Sequence, residues 1–102
     1  MNEYIECDTH ELIRQIGFYN IAAISGGRIL RRETGITLPV GRGYFVEIDL
    51  HASDTYVVKR VYQTSKMRIV KGEERNIYCE EIGETAYRAS CFVNISFGKD
   101  TK

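Results

Sequence analysis

The sequence predicts an α+β domain: an antiparallel sheet of about five strands flanked by an N-terminal and a C-terminal helix. Three observations lead there. The tracts "YFVEIDL" and "TYVVKRVYQ" carry the alternation and the β-branched and aromatic content of strands. Near both ends, apolar residues recur at three- and four-residue steps, the helical period. Short turns, not long crossovers, separate the middle segments, which fits antiparallel neighbours with helices on one face. At 102 residues, 43% hydrophobic and 27% charged, the chain is predicted to be a single domain, residues 1–102, with its last six residues fraying.

The first helix is expected to begin at Asp8 or Thr9. Asp8 and Glu11 stand close to a capping-box spacing, Leu12, Ile13 and Ile16 form the apolar stripe, and Gly17 closes it. "YNIAAIS" follows, apolar on both faces if extended, and so reads as a strand buried on both sides. Gly26-Gly27 then reads as a hairpin turn into a strand "RILRRE", and "TGITLPVGRG", punctuated by glycine and Pro39, as a connector. "YFVEIDL" sets Tyr44, Val46, Ile48 and Leu50 against Phe45, Glu47 and Asp49, "TYVVKRVYQ" follows after "HASD", and "MRIVK" is the last strand. Asn76 is the expected N-cap of a final helix with Tyr78, Ile82, Thr85, Ala86, Ala89 and Phe92 on one side, and Gly83 a point where it could break.

Charge excludes little. The net charge is zero, although residues 28–75 hold ten Lys/Arg against six Asp/Glu. That surplus gives mild support to a polyanion partner. The longest aliphatic run, "IAAI", falls far short of the roughly 20 residues of a membrane helix. "MNEYIECD" lacks the basic and apolar regions of a secretory signal, and three cysteines suit unpaired thiols in a reducing compartment, so the expected location is cytoplasmic, with no membrane partner.

Chemistry-bearing motifs are sparse. "SGGR" has neither the Walker spacing nor a Lys-Ser/Thr pair, so the glycines are a turn and not a phosphate cradle. Cys7 and His10 have half of a zinc spacing, but His51, Cys79 and Cys91 are scattered singly. No metal or cofactor is therefore expected. No nucleophile elbow accompanies His10 or His51, and Glu80, Glu81 and Glu84 stand where a helix start favours acids. An enzyme is not expected. The strongest competing signal interleaves rings and cations on the sheet, with Arg31, Arg32, Tyr56, Lys59, Arg60, Tyr62 and Arg68 as candidate nucleic-acid contacts. Its plainer counterpart is a core face with one snorkelling arginine and solvated strand charges. Burial of both sheet faces by a second copy of the chain, a homodimer, would explain the same apolarity.

The stretches "AISGGR", "ETGITLPVGRGY", "DTYVVKRV", "KGE" and "GETAYRASCF", in that order, make the chain resemble short uncharacterised proteins of tailed phages of actinobacteria. The resemblance spans residues 16–92 and implies a place in the cytoplasm of an infected bacterium, without implying any chemistry. The expectation is a non-enzymatic accessory protein that binds a host or phage protein. Nucleic-acid binding is the alternative.

Overall fold

The computed structural model describes residues 3–93 and 97–98; of the six residues expected to fray, Phe97 is instead buried in the core and 99–102 lie outside the described residues. The class is α+β as predicted. Among the described residues, one antiparallel sheet of five strands, in sequential order β1 to β5, carries three helices, two N-terminal and one C-terminal.

Asp8 caps α1 (Thr9–Ile16), its Oδ1 accepting from the His10 and Glu11 N–H groups at 3.1 and 3.3 Å. Gly17, at φ 95°, ends α1, but the chain then enters a second helix, α2 (Phe18–Ser25), where a doubly buried strand was expected. A short apolar run has no period of its own with which to separate strand from helix. The helix wins because Ile21 and Ile24, three residues apart, enter the core together, and because side chains of Asn20 and Ser25 donate back to the carbonyls of Ile16 and Ile21. Gly26 is not part of a hairpin. It adopts the left-handed conformation, φ 66°, and closes α2 by donating its N–H to Ala22 O. Of "RILRRE" only β1 (Leu30–Arg31) is extended.

The predicted connector is instead β2 (Gly35–Gly41). Ile36 and Leu38 alternate with Thr37 and Pro39, and the proline lies where the ladder shifts register, between Pro39 and Gly41. Gly35 is there for contact. A Cβ on it would lie 1.8 Å from Ile48 O of the neighbouring strand. The tight hairpin is at Arg42-Gly43, both with positive φ (57° and 87°), leading into β3 (Tyr44–Leu50). β4 (Tyr56–Gln63) follows as expected. β5 (Arg68–Ile77) overruns its expected end, so Asn76, at φ 60°, is the penultimate residue of the strand and not a helix cap. Helix α3 (Ile82–Ser90) starts later, with Ile82, Thr85, Ala86 and Ala89 buried as predicted and Gly83 inside its first turn, while Tyr78, which is exposed, and Phe92 lie outside it. Cys79 and Cys91 lie outside the helix, and all three cysteines are unpaired.

The helices cover one face of the sheet. Ile36, Leu38, Val46, Ile48 and Val58 point into this layer and pack with Leu12, Ile16, Ile21, Ile24, Ile82 and Ala86. On the opposite face Val57 and Val61 are also almost wholly buried, under charged side chains instead of helices. Arg68 reaches from β5 across β4 to Glu47 on β3, Arg32 pairs with Asp49, and Lys59 lies over the Tyr4 ring.

Candidate functional site

The seven candidate nucleic-acid contacts do not share a surface. Tyr56, Arg60 and Tyr62 turn toward the helices. Tyr56 is buried, its hydroxyl donating to Gln15 Oε1 at 2.9 Å, and burial pushes its pKa up to about 12. Arg60 is 8% exposed. It donates from Nε to Ala89 O at 2.7 Å, at the open end of α3, and from Nη2 to Arg88 O at 3.0 Å, which also accepts the Cys91 N–H. Burial pulls its guanidinium pKa down. Tyr62 packs on Tyr44 with ring centroids 5.2 Å apart, and Tyr44 stacks on Phe92 at 3.9 Å.

Lys59 and Arg68 belong to the other face. Lys59 Nζ stands 5.6 Å from the Tyr4 centroid, and Arg68 forks onto both Glu47 oxygens at 2.6 and 2.8 Å. Arg32 is held by Asp49, Thr37 and the Ile36 carbonyl. Arg31 is exposed and reaches Thr9 Oγ1 at 3.3 Å. A single-strand binder needs rings and cations together on one solvated groove. Here the rings are packed, one arginine caps a helix, and two others are in ion pairs.

Histidine and thiol chemistry is equally thin. His51 Nδ1 lies 2.9 Å from Ser53 Oγ, with Glu3 Oε1 3.5 Å from Nε2. The same Nδ1 also accepts the Ser53 N–H at 3.0 Å, which makes the group a local turn between residues two apart. A cleft of about 360 Å³ is lined by Cys7, Glu11, Asp54, Tyr56, Cys79 and Glu80 among others. Burial, with Asp8 and Asp49 nearby, pushes the Cys7 thiol up, away from the reactive thiolate. Among the described residues no three His, Cys, Asp or Glu side chains are grouped to hold a metal ion.

The anomalous surface is the outer side of α2. Ile21, Ile24 and Ser25 point into the core, and the exposed positions are Phe18, Tyr19, Ala22 and Ala23, at i, i+1, i+4 and i+5. Phe18 is 78% and Tyr19 90% exposed, and their rings meet edge to face at 6.5 Å. Residues 17–27 contain no Asp, Glu, Lys, Arg or His. The other helices have ordinary outer sides, with His10 and Arg14 on α1 and Glu84 on α3. A surface helix normally sets polar residues opposite its apolar stripe, and one that is apolar all round is normally buried. α2 meets only the second half of that rule on one side. The sequence pattern of apolar residues throughout was legible. Its resolution into one covered and one uncovered face was not, because α2 was read as extended.

Comparison with protein-family models, with curated proteins and with solved structures gives no match. Fold and surface together define a small α+β protein with an uncovered apolar helix face. Among the described residues no helix is long and apolar enough to cross a membrane.

Proposed function

We propose that this chain is a non-enzymatic accessory protein, of the phage type its sequence resembles, that works by protein–protein binding through the outer face of α2 in the cytoplasm of the infected host. The observation that carries this reading is the exposure of Phe18 and Tyr19 beside Ala22 and Ala23 on a helix without charge. Leaving two aromatic rings in water forgoes several kcal/mol of burial, at about 25 cal/mol per Å², which a partner would recover. Exposed apolar patches of this kind mark interaction sites more often than isolated surface residues do. A nucleic-acid partner has less behind it, since Arg60 and Tyr56 are occupied inside the fold.

The test is capture from an actinobacterial lysate on immobilised protein, comparing wild type with the double variant Phe18→Ser, Tyr19→Ser. Both positions are solvent-exposed, so the variant should fold. Partners that bind wild type and are lost with the variant support the reading. Capture unchanged by the variant, or no specific capture from a wild type that is itself monomeric, refutes it for this face.

A further inference from the structure

Resting on that reading, we infer that the partner of the α2 face is the same face of a second copy of this chain, in a twofold helix-to-helix dimer. Three observations favour a self-partner. The first is charge. In a twofold interface residue i meets residue j and j meets i, and residues near the axis meet their own copies, so an ionised side chain near the axis would face its duplicate. The chain is 27% charged, yet residues 17–27 carry no acid, base or histidine. That composition suits self-pairing and gives no charge pattern by which to select a different partner.

The second observation is shape. Ala22 and Ala23 occupy the outer side in the middle of α2, with Phe18 and Tyr19 at its start. Two helices crossing at the alanines can approach to the short end of the usual 8–10 Å spacing. In an antiparallel crossing each pair of rings then lies past the crossing point, along the C-terminal half of the partner helix. The third is area. At 78% and 90% exposure, Phe18 and Tyr19 present roughly 250–400 Å² of ring surface. A standard interface takes about 800 Å² per partner, so the rings supply a third to a half of it. This predicts a reversible dimer with a dissociation constant on the order of tens to hundreds of micromolar, not an obligate one.

The measurement is sedimentation velocity, or size exclusion with light scattering, on the full chain from about 1 µM to about 500 µM, a range that brackets such an affinity. Wild type should rise from the chain mass toward twice that mass as concentration increases. Ala23→Arg and Ala23→Glu should each remain monomeric over the range, and an equal mixture of the two should recover the doubled mass. Tyr19→Ser should weaken the dimer about tenfold or more, and serves as the second variant if either charge variant fails to fold. Wild type monomeric throughout overturns the inference, and so does a dimer indifferent to both positions. Adsorption of monomer to phosphatidylglycerol vesicles in place of pairing also overturns it. If wild type stays monomeric while lysate capture still depends on Phe18 and Tyr19, the dimer fails and protein binding stands; if capture fails too, both fall.

Discussion

Arg60→Met separates the two roles open to this residue. Arg60 is 8% exposed and donates to Ala89 O and Arg88 O at 2.7 and 3.0 Å, at the C-terminal end of α3. Hydrogen bonds from a charged donor are worth about 1.5–3 kcal/mol each, and a cation at a helix C-terminus adds about 0.3–1 kcal/mol. Against this, methionine escapes the desolvation of a guanidinium and fills most of the same apolar space. The balance is a loss of about 2–3 kcal/mol, dominated by the lost donor to Ala89 O, since Arg88 O keeps the Cys91 N–H. Arg60→Lys keeps the charge but not the fork, and should lose about 1–2 kcal/mol. The assay is urea unfolding of wild type and both variants, with the slope checked for constancy so that the midpoint reports stability. If Arg60→Met unfolds within about 0.5 kcal/mol of wild type, the capping argument is wrong. A variant that is equally stable but has lost salt-sensitive binding to single-stranded DNA would restore the nucleic-acid reading.

Two further outcomes are expected. Gly35→Ala puts a methyl group on the Ile48 carbonyl, at 1.8 Å before any shift, and should destabilise by at least about 3 kcal/mol because the β2–β3 backbones must separate; thermal unfolding within a degree or two of wild type would refute the close approach. Glu74 is held below its ordinary value of 4.5, first by the Arg88 hydrogen bonds at 2.8 and 3.1 Å. A depressed folded pKa means that its stabilisation is complete above about pH 4.5 and is lost as pH falls through the lower folded value. Glu74→Gln should therefore be less stable than wild type at pH 7, with the difference closing in acid. A difference that is constant from pH 7 to pH 3 would exclude the ion pair as its source.

The parts of the fold that were legible are those whose local signals are redundant. Asp8 and Gly17 bracket α1, the alternation from Tyr44 to Leu50 specifies β3, and Thr85, Ala86 and Ala89 mark the buried side of α3. The misread segments each had one signal pointing in two directions. Glycine and Pro39 suggested a connector where β2 pairs, because Gly35 serves a close approach and Pro39 sits at a register shift. Gly26-Gly27 needed positive φ, as expected of a turn, but to end a helix. The total of about five strands came out right although one expected strand was a helix and one expected connector a strand. Arg60 and Arg68 looked alike in sequence, and burial alone separates a helix cap from a surface ion pair.

By itself, then, the sequence determined the α+β class, the antiparallel middle, the ends of α1, and the apolar run "YNIAAIS" with no clear polar face. The tertiary structure decided how that segment is used. α2 is set over β2, beside α1 and α3, and the strand beyond β2 is the two-residue β1 at the sheet edge. Only one side of a helix in that place can meet the core. Ile21 and Ile24 take that side, and geometry leaves Phe18 and Tyr19 in solvent for a partner to cover.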